Sequence, residues 1–379
     1  MKELVPAEVF APGEFIKEEL EARGWMQDDL AEIMGRPVRL INEIIAAKRG
    51  ITPETAKGLG DAFGTGAQFW MNLESAYRLS RVRTPDNPVQ RRAAIYGKAP
   101  VRHMMKRFWI ESSENIDVLE SRLRHFFDTN NLDEIPSLWA VARKSTSVVP
   151  FTPAQTAWLH RAKQLARSQS AAPFTESRFT RGFERLHDFL VNPENIRRIP
   201  TILKEAGIRF LIVEPFPHSR IDGACFWLDN KLPVVVLSLR YDRIDWFWYT
   251  LMHELGHIHN KDGIGNSNDI PLDTDLFSDL TQNEDKPLFE KEADRFAVEF
   301  LVPQNKLDDF IKNSNSHYSK KRIEDFSAEL KVHPGIIVGQ LQHRNEISYA
   351  YYRETLVKIR HLITESALTD GWGFTPASR

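Results

Sequence analysis

A single cysteine, Cys225, stands among 379 residues. One thiol can build neither a disulfide framework nor a cysteine-ligated metal site within a chain, and a reducing cytoplasm is the expected home. Long apolar runs are also missing. No stretch reaches the roughly 20 uninterrupted apolar residues of a membrane span, so no membrane partner is expected. The opening MKELVPAEVFAPGEF carries Glu3, Pro6, Glu8 and Pro12 where a secretory signal would need an unbroken apolar run. Nor does one charge prevail, because 50 Lys and Arg face 52 Asp and Glu. Any nucleic-acid surface must then be a local patch. What is present is 42% hydrophobic residues over a length that accommodates two or three domains, each with its own core.

The first 80 or so residues read as short helices punctuated by glycine. FIKEELEARG (Phe15 to Gly24) sets Phe15, Ile16, Leu20 and Ala22 on a helix that Gly24 can end. MQDDLAEIMG (Met26 to Gly35) offers Leu30, Ala31, Ile33 and Met34, and VRLINEIIAAKRG repeats Leu40, Ile41, Ile44 and Ile45 at the 3.6 period. Thr52 and Pro53 are start signals for a fourth helix. Two short helices about a tight glycine turn form the helix-turn-helix pattern; a plain helical bundle is the alternative.

PGEFIKEELEARGWMQDDLAEIMG, INEIIAAKRGITPETAKGL and AFGTGAQFWMNLESAY together resemble the helix-turn-helix domain of HigA-type antitoxins. The resemblance implies operator DNA as a partner and a third helix in the major groove. Arg36, Arg39, Asn42 and Glu43 would then face base edges, with Lys48 and Arg49 on phosphates. A homodimer on a palindromic site is a further implication. The punctuation RTPDNP, around Pro85 and Pro88, suggests a linker, and SQSAAPFTES (Ser168 to Ser177) suggests a second.

Past Ile199 the pattern turns to strands: IRFLIVEP, ACFWLD and PVVVLSL are short, β-branched or aromatic, and bounded by turn residues. The next stretch, YDRIDWFWYTLMHELGHIHN, is apolar on nearly every side and reads as a buried helix. Burying His253, Glu254 and His257 is costly unless each has a partner. Two imidazoles four residues apart share one helical face and can share a metal, with Glu254 beside them as a base for water. A catalytic zinc site needs a third protein ligand. In FEKEADRFAVEFLVP, Glu290 falls within the apolar face of Ala293 and Ala297, whereas Glu292 projects to the far side. Glu290 is therefore the expected third ligand. Asp294, one turn on, is placed to accept the second ring N–H of a ligating histidine. Among His317, Tyr318 and His333 no spacing selects a second oxyanion donor. His333 is the candidate donor, against the alternative that it merely begins a helix before Pro334.

HELGH followed by EKEADRFAVEFLVP is similar to the ImmA/IrrE family of zinc metallopeptidases, a likeness running from about Ile199 to about Gln342. The expected fold is multidomain and α-rich: a helix-turn-helix domain (1–82), a helical connecting region (83–180), an α+β zincin-like metallopeptidase domain with a small sheet (181–345), and a C-terminal extension (346–379). The resemblance implies a DNA-binding regulatory zinc metalloprotease, with Glu254 catalytic, that cuts a specific repressor or antitoxin; His333 is added as a second catalytic candidate from the residues alone. The alternative is a repressor or antitoxin whose metal-binding domain senses a signal or binds a toxin without turnover. The strand around ACFWLD is also expected to offer an edge to an extended peptide.

Overall fold

The computed structural model describes residues 9–82, 87–135, 139–141, 148–264, 272–274 and 286–376. The chain divides into two compact units, Met1–Asn87 and Pro88–Arg379. Much of the RTPDNP stretch lies outside the described residues. Among those described, no helix is long and apolar enough to cross a membrane.

The first unit is built from α1 (Pro12–Arg23), α2 (Gln27–Ile33), α3 (Val38–Ile45), α4 (Pro53–Phe63) and α5 (Ala67–Arg81). Gly24 ends α1 in the left-handed region at φ 69°, its N–H donating to the carbonyls of Leu20 and Glu21. Thr52 caps α4 by accepting from the Thr55 N–H, with Pro53 in the first turn. Ile16, Leu20, Leu30, Ile41, Ile44 and Trp70 close one core. Two expected core residues turn outward. Ala22 is exposed because two positions beyond Leu20 is about 200° around the helix. Ile33 is exposed at the last residue of α2.

The second unit opens with α6 (Pro88–Lys98), α7 (Val101–Lys106), α8 (Ile116–Phe127), an antiparallel pair β1 (Trp139–Val141) and β2 (Val148–Pro150), and α9 (Pro153–Ser168). After α10 (Glu176–His187) and α11 (Ile199–Glu205) come β3 (Arg209–Val213), β4 (Ile221–Leu228), β5 (Leu232–Leu237), α12 (Ile244–Asn260) and β6 (Leu272–Thr274). The chain closes with α13 (Leu288–Leu301), α14 (Gln304–Ser314), α15 (Lys320–Leu330), α16 (Pro334–His343), α17 (Arg360–Ile363) and β7 (Leu368–Asp370). The main sheet runs in the order β6-β4-β5-β3-β7. β3 is parallel to β5 and β7, and β4 is antiparallel to β5 and β6.

Strand alternation sorts the sheet's side chains between two cores. Phe210, Ile212, Cys225, Val235 and Leu237 face the core that includes α12 and α16. Leu211, Val213, Ala224, Val234 and Val236 face the other, with Trp158, Leu159, Leu123 and Met104. Residues of the expected connecting region thus share a core with the sheet, covering the face opposite the HELGH helix. Residues after 346 supply β7, where Asp370 accepts from Trp109 Nε1 (3.0 Å) and Arg161 Nε (2.5 Å).

One expectation is corrected here. The Ser168 to Ser177 stretch is a packed connection: the Ala172 N–H donates to the Lys204 carbonyl at 3.0 Å, and the Phe174 ring meets Trp227 edge-on. The β4 edge expected for an extended peptide is paired with β6 at Ile221 to Ala224, Gly223 opposite Asp273 and Ala224 opposite Leu272, and among the described residues that pairing stops short of Cys225 to Leu228.

Candidate metal centre

α12 owes its depth to its composition. Trp248, Leu251, Met252 and Leu255 are all buried around its axis, and His253, Glu254 and His257 go inside with them. α13 crosses closely because Gly256 presents only hydrogen: a Cβ there would stand 3.1 Å from the Ala293 Cα. One turn before Ala293, buried Glu290 is delivered to the two imidazoles.

The ring nitrogens His253 Nε2 and His257 Nε2 face each other at 3.1 Å. Glu290 Oε2 lies 3.4 Å from the first and Oε1 3.9 Å from the second. On the outer side, His257 Nδ1 is 2.8 Å from Asp262 Oδ2 and His253 Nδ1 is 3.0 Å from Asp294 Oδ1. An Nδ1–H directed at a carboxylate leaves the Nε2 lone pair pointing inward. Two lone pairs and a carboxylate then converge in a dry site, which is electrostatically unfavourable without a cation among them. Their ligand atoms all lie within 4.8 Å of one another, and the set fits a divalent metal. Burial opposes charge on His253, but hydrogen bonds and charges from Asp294 and Glu290 outweigh it and push its pKa up to about 9.

Asp294 is itself anchored. Its Oδ1 accepts from Tyr249 Oη and its Oδ2 from Lys286 Nζ, each at 2.6 Å. Burial alone would raise its pKa, but His253 and Lys286 hold it well below the usual carboxylate range. Glu254, fully buried, lies against the β4 backbone at Gly223, where any Cβ would collide with its Oε1.

His253, Glu254, His257, Glu290 and Asp294 are therefore assembled in one place. His333 is not part of the cluster. It caps α16, its Nδ1 accepting from the Gly335 N–H at 3.1 Å, and its own N–H donates to the Leu190 carbonyl. Tyr318 is likewise spent on a hydrogen bond to Glu346. Asp262, Gly223, Tyr249 and Lys286 were not singled out from sequence. Asp262 alone had a local signal: α12 ends at Lys261 in the left-handed conformation, and that turn returns the chain onto His257.

In the first unit, Arg36 sits in the turn before α3, while Arg39 and Asn42 are exposed on the helix. Lys48 and Arg49 follow its end, both exposed. Glu43 is half-buried and accepts from Arg39 Nε at 2.8 Å and Arg49 Nη1 at 3.4 Å. The hydrogen bond from Arg39 holds its carboxyl below the ordinary value. Glu43 thus organises two arginines.

Comparison with known proteins bears on both units. Virulence-associated protein I of Dichelobacter nodosus is 42% identical over 69 residues, covering 18% of this chain and 64% of the relative. Virulence-associated protein A of the same organism is 41% identical over 64 residues, covering 17% and 63%. The chain thus spans less than two thirds of either relative's length. A solved structure, the Pseudomonas aeruginosa antitoxin HigA with the higBA promoter, is 36% identical, covering 19% of this chain and 80% of that one, at a TM-score of 0.19. Residues 203–346, which contain every member of the buried cluster, match the family model described as the IrrE N-terminal-like domain of peptidase M78. That segment of the chain is a domain of the IrrE N-terminal-like, peptidase M78 family.

Proposed function

We propose that the chain is a DNA-binding regulatory zinc metalloprotease that hydrolyses a peptide bond in a specific protein, a transcriptional repressor or an antitoxin. The observation that carries this reading is the convergence of His253 Nε2, His257 Nε2 and the Glu290 carboxylate beside buried Glu254. His253, His257 and Glu290 would hold the zinc. When bound, zinc supplies a Lewis acid that polarises the scissile carbonyl and lowers the pKa of water. Glu254 accepts the proton of the attacking water on its carboxylate and delivers it to the leaving amine nitrogen. Gly223 leaves room for that carboxylate against β4. Asp294 and Asp262 keep the two rings in the tautomer that directs Nε2 inward.

In the first unit, Arg36, Arg39 and Asn42 meet base edges of operator DNA, Glu43 fixes the arginines, and Lys48 and Arg49 contact phosphates. A homodimer on a palindromic operator and a cognate toxin partner belong to the same reading. A base beside the metal ligands favours turnover over a metal-stabilised repressor that only senses or binds.

The test is to purify the protein and its Glu254→Gln variant, assay zinc, and incubate each with the proteins encoded beside it. Zinc in both, with one neighbour cut only by the unaltered protein, is the expected result. Loss of Glu254 should slow cleavage by about 10²–10⁴-fold. Zinc in both and no cleavage of any neighbour transfers the assignment to the non-proteolytic repressor. In the same preparations, affinity for the chain's own promoter DNA should fall steeply with salt.

A further inference from the structure

Within the first unit, the end of α3 and the last turns of α5 border a cleft of about 200 Å³. Pro12 and Ile44 are buried at its base, while Lys48, Arg49, Arg78 and Arg81 are exposed along it. The volume falls below the roughly 300 Å³ at which small-molecule sites begin, but it admits the oxygens of a single phosphate.

The two sides are each held in place. Ala47 turns the chain out of α3 in the left-handed region, at φ 55°, and the N–H groups of Lys48 and Arg49 both donate to the Glu43 carbonyl, at 2.9 and 3.1 Å. The loop is therefore tied to the helix that presents Arg39 and Asn42. On α5, buried Glu74 accepts from Arg78 Nε at 2.5 Å, while the Arg78 side chain stays 68% exposed. Its guanidinium lies against Gly50, where any Cβ would collide with Arg78 Nη2 and Glu74 Oε1. Gly50 thus lets an arginine of α5 settle beside the loop that follows α3. Arg81 stacks over the Tyr77 ring, 5.5 Å from its centroid, and donates to Tyr77 Oη at 3.1 Å. Among the described residues, neither Lys48 nor Arg81 is paired with a carboxylate.

We propose, on the DNA-binding reading of the first unit, that this cleft receives a backbone phosphate of the operator duplex, so that α5 adds Arg78 and Arg81 to the DNA interface. DNA is the occupant because Lys48 and Arg49, on the loop continuous with α3, line the same cleft. Arg78 presents its outward guanidinium edge to the phosphate oxygens, and Arg81 meets them from the next turn of the helix. Such contacts fix the register of the protein on the duplex and carry no base identity.

The test is fluorescence anisotropy of the full chain on a labelled duplex of its own promoter and on an unrelated duplex of equal length, each over a range of salt. Arg78→Ala and Arg81→Ala should each lower the slope of log affinity against log salt by about 0.9 per chain bound, and weaken both duplexes alike, by roughly eightfold near 0.1 M salt. Lys17→Ala removes an exposed cation of α1 outside the cleft and is the comparator for charge loss alone; its slope should stay that of the unaltered protein. Arg81 is exposed at the last residue of α5, so its variant keeps the test open if loss of Arg78 loosens the fold, which thermal unfolding reports. An unchanged slope in either folded variant, a loss confined to the promoter duplex, or an equal loss in Lys17→Ala overturns the proposal and leaves DNA binding in place. Absence of salt-dependent binding to either duplex by the unaltered protein overturns the DNA-binding reading and the proposal with it.

Discussion

At the scale of single residues, the metal cluster depends on groups that never touch the metal position. Asp262 and Asp294 set the direction of the two Nε2 lone pairs. Asp262→Asn and Asp294→Asn should each lower zinc affinity by about 10–100-fold without changing the ligands, as competition with a calibrated chelator would reveal. If affinity is unchanged, the rings are positioned by packing alone. Gly223 makes a different demand. A methyl group there collides with the Glu254 carboxylate, so Gly223→Ala should destabilise the second unit by about 1–3 kcal/mol, read from thermal or urea unfolding. An unaltered midpoint would mean that Glu254 can move aside freely.

Among elements, the decisive contact is the crossing of α12 and α13. Gly256, the fourth residue of HELGH, lets the Ala293 backbone come close, and Glu290 sits one turn away on the approaching helix. Gly256→Leu should push α13 outward and cost zinc affinity at least as much as removing an Asp partner, about 100-fold. Zinc content after dialysis checks it. Retained metal would show that Glu290 reaches the site from a displaced helix. Most of this element-level arrangement was legible. The i, i+4 histidines and the apolar seam around Glu290 each depend on the period of one helix, and period is a property of local sequence. His333 shows where that legibility ended. A histidine before Pro334 reads equally as a cap or a donor, and only the position of α16 shows that its Nδ1 accepts from Gly335.

For the whole molecule, the second unit is a sheet covered on both faces. α6 to α9 pack on one face and α12 on the other, and β7 closes an edge from the far end of the chain. The buried Asp370 carboxylate links these distant parts by accepting from Trp109 and Arg161. Asp370→Ala leaves the mostly buried Arg161 guanidinium without that partner, and should cost about 3–5 kcal/mol of stability in the second unit. Calorimetric unfolding should register a loss in that unit while the first, with its own core, unfolds as before. A drop below 1 kcal/mol would mean that water replaces the carboxylate readily.

Local sequence by itself determined the short helices of the first unit, the strand-then-helix order of the second, and the three residues that could share a metal. Each follows from periodicity, capping residues or the spacing of ligand types along one element. The tertiary structure alone decided that α6 to α9 cover the sheet, and that residues beyond 346 return as an edge strand. It also decided that β6 pairs with β4 at Ile221 to Ala224, and that Tyr249 meets Asp294 behind His253. Those outcomes depend on pairings between residues far apart in the chain. A strand's alternation records that both faces are buried, but not which helices bury them.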